Sequence, residues 1–464
     1  MDGRRVFLIE FNELSPALLE RFIAAGDLPN FAWLRDGADV FASDAGETGG
    51  TLVPWIQWPS VHTGLPYAEH GIFHLGDASG TAFATIASTL AAAGLPVGVF
   101  GGMNVPAPRA ARGFFLPDPW DKRGRAEPAS LQPYYDVVAE QVKESSHHGR
   151  LGVRDVAKLG AFYARHGLRP ATALAVARQL AHERADRGVK WRRAALLDQV
   201  QYDVFAHYVR AQGVRFASFF SNSTAHYQHL YWRDMEPAGF AEPPDPAAHP
   251  SLRDAIRHGY RSMDRLIGRF RHDFPDAALV FATGLSQEPY TGPVLRNYRP
   301  LDFAALLTFL GVTGGRVAPV MTHQFHVDFA GEDEARAAEA AFRALVVDGE
   351  PVFDVRREGS GLFAGCHYLD PGVLERDAVD PRSGARRRFG ELFYLIDGHR
   401  SGHHTPVGAL WIRTTGRGRV HLEPVSILDI APTVLELFGV AAPAAMRGAP
   451  LPLGGLPRRA VAAV

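Results

Sequence analysis

Val6-Phe7-Leu8-Ile9-Glu10-Phe11-Asn12-Glu13-Leu14-Ser15-Pro16 opens the chain, and its reading decides the fold class. Val6 to Ile9 is a continuous apolar, partly β-branched run, the pattern of a strand buried on both faces of a parallel sheet. Ser15 and Pro16 supply an N-cap and a proline at the first helical position. Leu18, Leu19, Phe22 and Ile23 then make one helical face that stops at Gly26. Similar apolar runs recur at residues 97–100, 216–220, 278–282 and 409–412 with helical stretches between them, so the class is α/β with a largely parallel sheet. Ligands of such sheets gather where the strands end.

Outward from that core, two stretches fit poorly. Residues 128–199 are rich in Arg, Ala and His and read as a helical insertion. Residues 301–388 offer a strand at 325–329, an Ala-rich helix at 333–345 and a strand at 351–355, which reads as a small α+β cap. The 464 residues, about three domains' worth, then become one domain with a core of 1–127, 200–300 and 389–464. The Arg-rich run 382–388 reads as a solvated loop.

Composition excludes several functions. Lys+Arg is 49 against Asp+Glu 50, so no global positive field gathers nucleic acid or an anionic membrane. Cys366 is the only cysteine, which removes disulfide frameworks and multi-thiolate zinc sites. The first apolar run is too short for a signal segment or a membrane span, and a cytoplasmic protein acting on a small molecule is expected. Of the 20 histidines, several are bunched instead of scattered. No phosphate loop, dinucleotide fingerprint or serine-hydrolase elbow sits on a suitable strand-to-helix turn.

Leu28-Pro29-Asn30-Phe31 with Leu34, Thr63-Gly64-Leu65-Pro66 and Glu69-His70-Gly71-Ile72-Phe73 together resemble the alkaline phosphatase superfamily, especially its type I phosphodiesterase and nucleotide pyrophosphatase branch. Gln228-His229-Leu230-Tyr231-Trp232 is similar to that family's second metal-binding segment. His404-Thr405-Pro406-Val407-Gly408 is similar to its last metal histidine with the strand after it. Residues 426–433 and Met446-Arg447-Gly448 are similar to the closing helix and final turn, in the same order. The resemblance implies a mostly parallel sheet sandwiched by helices. It also implies a hydrolase in which two divalent cations about 4 Å apart serve a Thr or Ser nucleophile.

Carried over residue by residue, that pattern breaks. Asn12 stands where the resemblance implies Asp, and Pro54 falls at the nucleophile position, with Thr51 and Ser60 out of register. Ala225 replaces the acid of the D-x-x-x-H segment, and Leu285 and Ser286 replace an Asp-His pair. His229 and His404 survive. They suggest a mononuclear, His-rich centre completed by His403 or His226, zinc being the natural ion for such donors, with Glu10 or Glu13 as general base. The other reading is a cleft of hydrogen-bonded histidines that holds no metal. Trp55, Gln57, Trp58, Asn12, Gln287 and Arg400 are candidate substrate contacts, with Asn222 and Gln228 adding to a polar, weakly anionic cleft. Two functions follow from these residues. One is a divergent phosphodiesterase- or phosphatase-like hydrolase or transferase acting on a small polar metabolite. The other is a non-catalytic binding or scaffold protein on the same fold.

Overall fold

The computed structural model describes residues 4–108, 112–121, 124–144, 153–242, 244–245, 247–292, 296–319, 323–368, 370–396 and 401–454. The chain divides into two compact units, one of residues 1–142, 150–290 and 401–464 and the other of 143–149 and 291–400.

Ten described strands build the larger unit: β1 (Val6–Phe11), β2 (Asp39–Asp44), β3 (Val97–Phe100), β4 (Gly113–Leu116), β5 (Phe216–Ser221), β6 (Ala278–Ala282), β7 (Ser286–Pro289), β8 (Gly402–Thr405), β9 (Val407–Arg413) and β10 (Val425–Ser426). Eight of them form one sheet in the order β10-β2-β9-β6-β1-β5-β3-β4. Only β9 runs against its neighbours, β2 and β6, and every other pairing is parallel. β7 and β8 pair separately and antiparallel, which sets His404 opposite Gln287.

β1 is a central strand because all six of its residues are apolar enough, or well enough paired, to be buried. Its alternation splits the core into two layers. Phe7, Ile9 and Phe11 pack on one face with Phe205, Phe270 and Phe281, and Val6 and Leu8 pack on the other with Trp58, Val280 and Leu410. Period 2 therefore sends Glu10 to the second face.

Seven helices matter below: α1 (Pro16–Ala24), α2 (Pro29–Asp36), α3 (Pro54–Thr63), α4 (Pro170–Ala185), α5 (Arg193–Ala211), α6 (Ser223–Met235) and α7 (Ala255–Asp273). Proline stands in the first turn of α1 to α4, where its missing N–H costs no helical bond. Ser15 occupies the N-cap position of α1 without a capping side-chain bond. Its backbone N–H is donated to Tyr260 Oη at 2.7 Å instead. The Arg, Ala and His-rich segment supplies α4 and helices Gln132–Glu144 and Val153–Arg165. Among the described residues, no helix is long and apolar enough to cross a membrane.

The smaller unit has its own core, with Phe325, Phe342, Phe353 and Cys366 buried together. Burial pushes the Cys366 thiol well above its usual range, so it acts as a small packing residue. Two sequence expectations need correction here. The 351–355 run is divided between strands Glu350–Pro351 and Asp354–Glu358. Within 382–388, Ala385–Arg388 is an edge strand and not a loop. It pairs with Asp377–Asp380, and Arg386 and Arg388 reach Asp377 and Glu375 at 3.5 and 2.9 Å. Charged side chains are common on edges because they discourage further pairing.

His70, just beyond α3, accepts from Ile72 N at Nδ1 (3.0 Å), which leaves Nε2 to donate to Ser60 Oγ, also 3.0 Å away. Burial holds its imidazole down to about 4 from the usual 6.5. The unfolded chain then binds a proton that the fold rejects between those values, so stability falls as pH drops from about 6.5 to about 4. Denaturant unfolding across that window is expected to show a flatter pH dependence in His70→Asn than in the wild type.

Candidate active site

The end of β1 and the ends of its two neighbours are tied together by backbone before any side chain acts. Asn12 N donates to Ser221 O (3.0 Å) at the end of β5, and Glu13 N to Thr283 O (3.1 Å) beyond β6. This turn puts Glu13 at φ +61°, a left-handed conformation uncommon outside glycine. Its carboxylate is thereby directed towards α6 and the β7–β8 pair, where His229 and His404 wait.

His229 Nε2 lies 3.0 Å from Glu13 Oε2, and His404 Nε2 lies 3.2 Å from the same oxygen. The two imidazoles meet edge to face with centroids 5.1 Å apart. Each ring is aimed from behind by a backbone carbonyl: His229 Nδ1 is 3.1 Å from Gly402 O, and His404 Nδ1 is 2.8 Å from Leu52 O. A carbonyl can only accept, so both Nδ1 atoms carry protons and both Nε2 atoms face the carboxylate.

Amides hold the carboxylate itself. Asn12 Nδ2 donates to Glu13 Oε1 (2.7 Å), and Gln287 Nε2 donates to Oε2 and to Ala225 O (3.0 Å). Gln228 Nε2 donates to Glu13 O (2.7 Å), and Gln228 is in turn held by Tyr260 and by Ser15 N. Asn12 Nδ2 also reaches Asn222 Oδ1 (2.7 Å), and Trp58 Nε1 donates to Asn12 Oδ1 (2.8 Å). Burial alone would raise the Glu13 carboxyl, but the charges of His404 and His229, with their hydrogen bonds, outweigh it and keep it well below the usual carboxylate range.

Among the described residues, Glu13, His229 and His404 are the one group whose ligand atoms, all within 4.8 Å of one another, can hold a metal ion. His404 Nε2 is buried, and Glu13 Oε2 is its one polar neighbour among the described residues. These features fit a cation: without one, both Nε2 atoms must be protonated to face the same oxygen. Two histidines and one glutamate form a donor set used by catalytic zinc, and two imidazoles favour it over magnesium or calcium.

The structure places the other sequence candidates elsewhere. His226, expected near the same ligand, is exposed on α6. His403 points away from His404 by strand alternation and its Nε2 pairs with Glu288 at 3.1 Å. The side chain that meets the two histidines is thus a carboxylate, Glu13, which the sequence suggested as a general base. Glu10 is fully buried on the other face of β1, 3.0 Å from His62 Nε2, and has no access to a cleft. Trp58 and Gln57 are fully buried, and Trp55 is half-buried at the start of α3. Trp58 acts through Asn12, with its ring edge-on to Phe220. Gln287 stands beside Glu13, while Arg400 lies outside the described residues.

The contact of Glu13 with both histidines, and the four amides around it, was not foreseen at the sequence level. The signal present was the set of Asn12, Asn222, Gln228 and Gln287, all near strand ends.

No protein-family model matches the chain, and no curated protein matches it. It is similar to solved structures along nearly its whole length. The alkaline phosphatase PafA is 13% identical, with 97% of this chain and 98% of that one covered and a TM-score of 0.48. Phosphonoacetate hydrolase from Sinorhizobium meliloti 1021 is 13% identical over 95% and 96% at a TM-score of 0.42. Murine ectonucleotide pyrophosphatase/phosphodiesterase 5 is 10% identical over the same shares, also at 0.42. Similarities this distant say nothing of activity.

Trp58→Phe keeps an aromatic ring but loses part of the indole volume and the donor to Asn12, leaving a small gap and a buried acceptor unsatisfied. Equilibrium unfolding is expected to show a loss of about 1–3 kcal/mol. Trp55→Phe, at a half-buried position, should stay within about 0.5 kcal/mol of wild type.

Proposed function

We propose that the chain is a divergent alkaline-phosphatase-like hydrolase. It would bind one divalent cation, zinc by its donor set, at Glu13, His229 and His404, and cleave a phosphate or related ester of a small polar metabolite in the cytoplasm. The observation that carries this reading is the convergence of those three side chains on one point beyond β1, with each histidine oriented by its own carbonyl. The order of the motifs along the chain supports the family reading.

A bound divalent cation would supply Lewis acidity towards an ester oxygen. The residues of the chain supply the rest. Glu13 brings one negative charge to the cation, and Asn12 and Gln287 fix its two oxygens so that neither rotates away. Gly402 and Leu52 carbonyls keep both imidazoles presenting Nε2. At the expected nucleophile position, Pro54 opens α3 and offers no hydroxyl. The Thr51 hydroxyl is engaged by the Glu47 carboxylate at 2.7 Å. Water is therefore the attacking group in this reading. Pro54 is also the observation that favours the alternative, a protein that binds the same kind of ligand without turning it over.

Protein prepared without a polyhistidine tag and titrated with zinc is expected to bind one equivalent. His229→Ala, His404→Ala and Glu13→Gln should each weaken binding by about tenfold or more, and Gln287→Leu, which touches the carboxylate from outside, by about 10–100-fold. Substoichiometric zinc unchanged in a His229→Ala/His404→Ala double variant would remove the metal site. Zinc-dependent turnover of aryl phosphomonoester, phosphodiester or sulfate substrates, lost in His404→Ala, distinguishes the hydrolase from the binding protein.

A further inference from the structure

Helices α4, α5 and α7 line a cavity of about 720 Å3, and none of its lining residues belongs to the Glu13 cluster. Arg169, Arg178, Arg192, Arg265 and Arg269 line it, and no Asp or Glu does. Two of these arginines are already neutralised. Arg169 pairs with Asp203 at 3.3 Å and with Asp273, and Arg269 pairs with Asp203 and donates to Gln199 O at 3.0 Å.

The other three make no ion pair among the described residues; the Asp264 carboxylate, bonded to Asn30 N and Phe31 N, offsets part of the charge of Arg265 from a distance. The buried Nε of Arg192 has no hydrogen-bond partner, and its guanidinium lies over the Trp191 ring, 5.2 Å from the centroid. His258, also on the wall, lies within electrostatic reach of Arg192 and Arg265, and of Arg261, which is itself paired with Asp27 at 2.5 Å. Burial first, and then Arg265, Arg192 and Arg261, push its imidazole down to about 4, so it is neutral at physiological pH. Between the cations, Ala175, Ala195 and Leu196 give the cavity an apolar surface.

Like charges gathered in excess of their counter-charge repel one another, and an anion that bridges them removes that repulsion while forming charge-assisted bonds. The volume lies within the range of small-molecule sites, roughly 300–1,000 Å3. A single inorganic anion would leave much of the cavity and its apolar wall uncovered.

We propose that this cavity binds a small molecule carrying two or more phosphate-type oxyanion groups on an apolar or planar body, through Arg178, Arg192 and Arg265. The site is separate from the metal centre, and its existence does not depend on the chain being a hydrolase.

Titration calorimetry in the presence of a chelator, with inorganic phosphate, pyrophosphate and ADP as probes, tests the proposal on the full chain. ADP is expected to bind more tightly than pyrophosphate, and pyrophosphate more tightly than phosphate, with all affinities falling as salt rises. Arg192→Gln and Arg265→Gln should each weaken ADP by about tenfold, and so should Arg178→Gln, whose exposed position on α4 makes a folding defect an insufficient explanation. His404→Ala should leave ADP binding unchanged, which separates this site from the metal centre. Absence of saturable binding by both pyrophosphate and ADP, or ADP affinity untouched by all three arginine substitutions, would overturn the proposal. ADP no tighter than pyrophosphate would overturn the apolar body.

Discussion

A carboxylate is buried at the end of the central strand, and the surrounding structure is organised around the need to compensate it. An isolated buried charge costs several kcal/mol, so Glu13 is tolerable only if both oxygens are bonded and positive charge lies close by. Asn12 meets that need from the same turn, and Gln287, His229 and His404 from three different elements. The strained backbone of Glu13 is held by hydrogen bonds to the ends of β5 and of the segment after β6. Parallel pairing on both sides of β1 makes this possible, since it brings three strand ends to the same edge of the sheet.

A further layer follows from the first. Asn12 can hold Glu13 only while its own oxygen is occupied, and Trp58 Nε1 does that from inside the core. Gln228 can hold the Glu13 carbonyl only while its own oxygen accepts from Tyr260 and Ser15. Fully connected networks of this kind fix a single arrangement, whereas a half-satisfied one would be worse than an apolar core.

Much of the fold was legible in the sequence because it rests on local patterns. The Val6–Phe11 run, the prolines opening the helices and the later apolar runs all carry period and punctuation that survive in one dimension. His229 and His404 were legible through the motifs around them. The contact of Glu13 with both histidines was not: the resemblance put the missing acid at Ala225, and nothing in the spacing says that a carboxylate from another strand end meets them instead. His403 was misleading because adjacent strand residues face opposite ways. The arginine-lined cavity was equally hidden, since its cations come from three helices whose linear charge patterns look ordinary.

On the proposed reading, Glu13, His229 and His404 together hold one divalent cation. Anomalous diffraction at the zinc edge from zinc-loaded crystals tests it most directly. The account predicts one peak bonded to Glu13 Oε2 and to Nε2 of both histidines. A site with no peak there, or with a pair of peaks about 4 Å apart as in two-metal centres, would contradict it.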